Sequence, residues 1–161
     1  MPVDDQETKS LRWGIKDSFI AYLDSLPDAS FRVEGGARET VIDGRREWVF
    51  PFVDSEEGPS FTQLNFAGEL RISAHGGALL VVLMRPGLRL MPDRAELSFV
   101  DLMRWPDTSQ RELVGEGAGV DPSTDAHDVS VPLRLTVNAA EIFNGIYPAG
   151  TAMAPVILER G

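Results

Sequence analysis

"QLNFAGELRISA", residues 63–74, decides how the chain is read. Leu64, Phe66, Leu70, Ile72 and Ala74 share one parity, while Gln63, Glu69, Arg71 and Ser73 take the other. A period of two places alternate side chains on opposite faces, which is the pattern of a half-buried β-strand. His75, Gly76 and Gly77 then read as a turn, and "ALLVVLM", residues 78–84, follows with apolar residues at both parities. A strand without alternation needs cover on both faces. One face can pack on the core; the other must meet a helix, a partner or an apolar ligand. On parity alone His75 falls with Arg71 and Ser73, away from the apolar face.

The same reading extends outward. "TVIDGRREWVF", residues 40–50, carries an Asp43-Gly44 pair between two strand-like runs, a strong hairpin signal. "AELSFVDLMRW", residues 95–105, alternates Leu97 and Phe99 with Glu96 and Ser98. "DVSVPLRLTV", residues 128–137, alternates from Val129 to Val137, and Pro132 on its polar side suits an edge strand. Short strands punctuated by turns predict a mainly β chain, an antiparallel sandwich or a partly closed barrel. The segment 104–126, rich in Gly, Pro, Ser, Thr and Asp, reads as a long loop or a weak hairpin.

Helical spacing is found near both ends. In "SLRWGIKDSFIAYLDSLP", residues 10–27, Leu11, Ile15, Phe19 and Leu23 recur every fourth residue, and Trp13, Ile20 and Leu26 widen the stripe. Ser10 is the expected N-cap, and Pro27 cannot continue the helix. Tyr22 borders the buried face. A second, short helix is expected in "NAAEIFNGIYPAG", residues 138–150, with Asn138 and Glu141 as a capping pair and Gly145 at its exit. No repeat or linker interrupts the chain, so residues 1–161 read as one domain with a flexible N-terminus over residues 1–9.

Composition narrows the functions. A formal charge of −10 argues against nucleic acid and against an anionic membrane surface, though a local arginine cluster can still hold a small anion. The absence of cysteine removes disulfides, thiolate metal sites and cysteine nucleophiles. The longest apolar run, 78–84, is too short to cross a bilayer, and "MPVDDQETKS" has no signal-peptide pattern, so a cytoplasmic protein without membrane insertion is expected. Of the two histidines, His127 sits in a polar, acidic stretch and reads as a surface residue. Tyr147, before Pro148, reads by itself as a packing residue. No G-x-S-x-G elbow, no H-E-x-x-H pattern and no phosphate loop around "GEGAG", residues 115–119, supports an enzyme.

Three stretches together carry a likeness. "LRWGIKDSFIAYL" at 11–23, "FAGELRISAHGGALLVVLMRPGLRL" at 66–90 and "IFNGIYPAGTAMAPVIL" at 142–158 resemble, in order and spacing, the HtaA domain of actinobacterial haem-uptake proteins. The resemblance implies a β-rich domain that binds ferric haem (ferric protoporphyrin IX) for acquisition, storage or transfer. It implies Tyr22 as the axial ligand of haem iron, His75 as its hydrogen-bond partner and Tyr147 near the porphyrin. Gly76 and Gly77 would let the flat macrocycle approach the backbone, and residues 78–84 would supply apolar surface. Arg71, Lys16 or the Arg45–Arg46 pair would meet the propionates. A phenolate is a hard oxygen donor suited to ferric iron, and a neighbouring imidazole can take the phenol proton or orient the oxygen. The family is usually exported, and a haem-transfer protein is the implied partner. A second reading keeps the fold and exchanges haem for another apolar ligand or a protein partner.

Overall fold

The alternation of residues 63–74 is shared by two strands. β5 (Thr62–Phe66) and β6 (Glu69–Ala74) lie in different sheets, separated by Ala67 and Gly68. Gly68 has φ 108°, and a Cβ there would lie 2.7 Å from the Ala37 Cβ and 2.9 Å from its amide nitrogen. Only glycine fits this crossing, because the backbone is left-handed and the neighbouring chain is already in contact. A single strand is therefore the wrong reading, although its parity holds on both sides of the break: Leu64, Phe66, Leu70, Ile72 and Ala74 are all buried.

The computed structural model describes residues 8–119, 128–143 and 145–160. The remaining strands are β1 (Thr8–Trp13), β2 (Ser30–Glu34), β3 (Arg38–Ile42), β4 (Arg45–Glu57), β7 (Leu79–Met84), β8 (Gly87–Leu90), β9 (Arg94–Val100), β10 (Arg111–Ala118), β11 (Asp128–Leu135) and β12 (Ala152–Arg160). The larger sheet runs β1-β12-β11-β10-β9-β8-β5-β4-β3, and β1 also pairs with β4. That extra pairing closes a ring of strands, with β3 hanging from β4 outside the seam. β2, β6 and β7 form a separate sheet. Every pairing is antiparallel. The expected partly closed barrel is thus a closed one, with a second sheet beside it.

The interior is filled by the apolar parity of each strand. Trp13 stacks on Phe99 across it, with ring centroids 5.9 Å apart. Phe31 of β2 stacks on Trp48 of β4 at 5.4 Å, which ties the smaller sheet to the ring. Asp43 and Gly44 both have positive φ between Ile42 and Arg45, the two-residue hairpin geometry expected for that pair.

Four expectations need correction. The long N-terminal helix is a strand followed by a short helix, α1 (Asp17–Asp24). Ser10, the supposed cap, and Leu11 lie in β1, and Lys16 precedes α1 without a side-chain cap. Leu11, Trp13 and Ile15 are spaced by two, although Leu11 and Ile15 also belong to the fourfold series, and pairing with β4 and β12 selects the strand period. Thr8 and Lys9, assigned to the N-terminal tail from sequence, begin that strand. Second, residues 111–118 form β10 inside the sheet. Its glycines permit close packing: a Cβ on Gly117 would lie 2.0 Å from the Pro132 carbonyl oxygen. Third, β11 lies between β10 and β12, and Pro132 sits where its register with β12 shifts between Val131 and Leu133. A bulge tolerates the missing N–H as an edge does. Fourth, the C-terminal helix is a single 3₁₀ turn over Asn138–Glu141. Thr136 Oγ1, not Asn138, accepts from the Ala139 amide (3.2 Å). Gly145 does act at the exit, with φ 68° and its N–H donating to Ala140 O at 3.0 Å. His127, residues 1–7 and residues 120–126 of the expected loop lie outside the described residues.

Candidate functional site

α1 is short, so its position depends on what it is fastened to. Phe19, Ile20 and Leu23 are its buried residues. The Phe19 ring meets Phe143 edge-on at 5.4 Å and Tyr147 at 6.1 Å. Strand β12 holds the helix entry. The Ala154 N–H donates to Ile15 O (2.7 Å), the Trp13 indole N–H donates to Ala154 O (2.8 Å), and Lys16 Nζ donates to Ala152 O (3.1 Å). Ile15 itself has φ 64°, an uncommon conformation for a β-branched residue, which turns the chain from β1 into α1.

This anchorage leaves Tyr22 on the open side of α1, 42% exposed. Its Oη lies 2.7 Å from His75 Nε2, across 53 residues of sequence. His75 begins a tight turn at the end of β6, in which His75, Gly76 and Gly77 have φ values of 54°, 64° and 95°. Three successive left-handed residues explain the pair of glycines. A Cβ on either glycine would meet nothing within 4 Å, so the turn presents open backbone beside the Tyr22–His75 pair.

The turn has a partner that the sequence did not reveal. Asp28 Oδ2 accepts from the Gly76 N–H at 2.8 Å. That hydrogen bond, with smaller help from the His75 backbone and the His75 ring and against some desolvation, holds the Asp28 carboxyl below its ordinary range. Pro27-Asp28 directly after a helix is a visible turn signal, but nothing in it points to a backbone amide 48 residues away.

The other expected site residues are placed less directly. Tyr147 is partly buried on the core and contacts the helix through Phe19, while Lys16 Nζ sits 5.5 Å from its ring centre. Every cation proposed for the propionates is already engaged. Arg71 bonds Glu69, Arg45 bonds Asp17 (2.9 Å), and Arg46 bonds Asp24 (2.6 Å) and Glu39 (2.7 Å). In β7, Leu79, Val81 and Leu83 face the core, whereas Leu80 is 56% exposed and Val82 half-buried. Those two residues border an open groove with Val100, Leu102, Met103 and Ile142. Among the described residues, the non-alternating run therefore has one apolar face only partly covered.

A phenol in hydrogen-bond contact with an imidazole, open to solvent and flanked by bare backbone, can offer a hard oxygen donor to a metal centre carried by a flat ligand. Among the described residues no group of three or more His, Cys, Asp or Glu side chains could hold a bare metal ion. No described helix is long and apolar enough to cross a membrane.

The comparisons with known proteins agree on the fold. The C-terminal domain of HtaA from Corynebacterium glutamicum is 20% identical, with 96% of this chain and 98% of that one covered at a TM-score of 0.72. The N-terminal domain of the same protein is 18% identical, covering 97% and 99% at 0.69. The heme binding protein HtaB from Corynebacterium glutamicum is 16% identical, covering 95% and 92% at 0.65. No curated protein matches the sequence significantly. The family model HtaA (Htaa) matches residues 8–159, nearly the entire chain, and on that match the chain belongs to the HtaA family.

Proposed function

We propose that this protein binds ferric haem through the Tyr22 phenolate, with His75 supporting the ligand, and that it serves haem acquisition, storage or transfer. The observation that carries the reading is the 2.7 Å contact between Tyr22 Oη and His75 Nε2, exposed on the surface and bordered by Gly76 and Gly77. Membership of the HtaA family and the likeness to a heme binding protein support it. Ferric haem, as cargo, would supply a Lewis-acidic iron centre that favours the phenolate.

The chain's own part is proton and position control. When Nε2 is unprotonated, the phenol donates to it; as Tyr22 becomes phenolate, its proton moves to Nε2, which then donates back to the oxygen. His75 thereby keeps the ligand oriented in both states. Asp28 fixes the turn that carries His75, and Phe19 fixes the helix that carries Tyr22. Leu80 and Val82 offer apolar surface of the kind a macrocycle covers. Tyr147 has its place in this reading as the residue packed beneath Phe19 at the margin of the site. Phenolate ligation favours the ferric state, so reduction of the iron should weaken the bond and aid release of the cargo.

Titration of the purified protein with hemin tests the proposal. Saturable one-to-one binding with a ferric, tyrosinate-type visible spectrum is expected, and Tyr22→Phe should lose that spectrum while keeping its fold. The same spectrum and affinity in Tyr22→Phe would sink the ligation. No saturable binding by the wild type would favour the reading in which the fold serves another apolar ligand or a protein partner.

A further inference from the structure

The outer face of the ring carries a second polar site, made by β5, β8, β9 and β10. Registers Asn65↔Gly87↔Ser98 and Gln63↔Arg89↔Glu96 lay polar residues side by side on the face opposite Leu64, Leu88 and Leu97. They border an open cleft of roughly 410 Å³, which Arg111 also lines. Three of the groups that line it meet over Gly87, where an added Cβ would lie 2.6 Å from Gln63 Nε2, 2.8 Å from Arg111 Nη2 and 3.2 Å from Ser98 Oγ. The backbone at Gly87 is not left-handed, so the missing side chain is needed for space alone. Its absence lets those three groups converge.

Both arginines are held in place while keeping donors in reserve. Arg89 Nε donates to Gln63 Oε1 (3.0 Å), Gln63 Nε2 donates to Asn65 Oδ1 (3.2 Å), and Asn65 Nδ2 donates to Asp54 Oδ1 (2.8 Å). This one-way chain fixes both amides, and the Arg89 guanidinium carbon also lies over the Phe61 ring, 4.1 Å from its centre. Arg111 donates through Nε to Ser98 Oγ (3.2 Å) and through Nη2 to Arg85 O (2.6 Å) and Ser98 O (3.0 Å). Among the described residues, both Nη groups of Arg89 and the Nη1 group of Arg111 have no hydrogen-bond partner. Among the described residues neither arginine has a carboxylate within ion-pair distance, and Glu96 is taken by Arg94. Arg45, Arg46, Arg71 and Arg94 are all raised in pKa by acidic partners, whereas Arg111 is lowered by desolvation and by Arg85.

We infer that this cleft binds the carboxylate group of a small molecule, held by the free guanidinium edges of Arg89 and Arg111 above Gly87. A planar guanidinium fork matches a carboxylate with two parallel hydrogen bonds. The acids on the rim, Glu56 and Glu96, disfavour a doubly charged phosphate relative to a single carboxylate. The site is independent of Tyr22 and His75, since none of its residues touches them.

Nitrogen-15 NMR of the full chain, titrated with acetate at constant ionic strength, tests the inference. Saturable shifts are expected at the Gly87 and Ser98 amides and at the Gln63 side-chain amide. Arg111→Gln should weaken binding by about tenfold or more, the loss of a charge-assisted pair. Arg89→Gln, which gives up fewer structural contacts, should also weaken it. Gly87→Ala should do the same by displacing two flexible side chains, with the fold intact. Hemin spectra of all three variants should match the wild type, which separates this site from the haem reading. Shifts that grow linearly without saturation, equal affinity in the variants, or tighter binding of inorganic phosphate than of acetate would each overturn the assignment.

Discussion

Phe19→Ala is the sharpest test of how the site is held. The side chain is fully buried, and its ring makes edge-on contacts with Phe143 at 5.4 Å and Tyr147 at 6.1 Å. α1 spans 8 residues and has no side-chain cap at its N-terminus. Isolated helices below about 12–15 residues are marginal in water, so docking decides whether this one forms. Removing a buried phenylalanine costs ~3–5 kcal/mol in transfer and cavity terms. For a chain of this size each kcal/mol moves Tm by about 2–4 °C, so a fall on the order of 10 °C is expected. Such a loss is a large fraction of a total stability of about 5–15 kcal/mol, so circular dichroism checks that the variant is folded before hemin is added. Urea denaturation followed by tryptophan fluorescence measures the loss, and Phe19→Leu, nearer in volume, should cost less than ~1.5 kcal/mol. Hemin affinity should fall in Phe19→Ala although Tyr22 and His75 are untouched. A stability loss below ~1 kcal/mol would show that Phe19 does not anchor the helix. Unchanged hemin affinity would show that Tyr22 does not depend on it.

Two further outcomes follow from the backbone. Gly117→Ala puts a Cβ 2.0 Å from the Pro132 carbonyl oxygen, and a loss of ~3 kcal/mol or more is expected by chemical denaturation. Gly150→Ala, strained by φ but with open space around it, should lose only ~1 kcal/mol. Asp28 gives a pH dependence. Its folded-state pKa is depressed by the Gly76 N–H, so its contribution is full above the unfolded aspartate range near ~4 and is lost as pH falls through the lower folded value. The Tm gap between wild type and Asp28→Ala should be open at neutral pH and shrink in acid; a gap that widens in acid would contradict the hydrogen bond.

The sequence showed the architecture wherever one pattern had one meaning. Val129, Val131, Leu133 and Leu135 alternate and are buried as expected, whereas Val137, the fifth of that series, lies past the end of β11 and is 76% exposed. It misled where two periods coincide. Leu11, Trp13, Ile15 and Phe19 fit a helix stripe, and the break falls at an isoleucine with positive φ, which no local rule anticipates. β10 was hidden because its glycines, needed for contact with Leu133 and Pro132, look like loop composition. For the site, the positions of Tyr22 and His75 were legible through a family likeness, and the structure brings that pair together. Asp28 was not, since it acts on a backbone amide and leaves no side-chain pattern. Arg45, Arg46, Arg71 and Lys16 looked available because sequence does not display which acids and carbonyls already occupy them.

The seam between β1 and β12 also sets a timetable. Trp13 is fastened to Ala154 across 141 residues, and Lys16 to Ala152 across 136. On the ribosome, the helix bearing Tyr22 emerges long before the strand that orients it. Contacts of such long sequence separation form late. The Tyr22–His75 geometry is therefore completed only when the last strand of the domain has been released and has closed the ring. A cut within residues 152–160 would therefore disturb the pair from a distance without altering either residue.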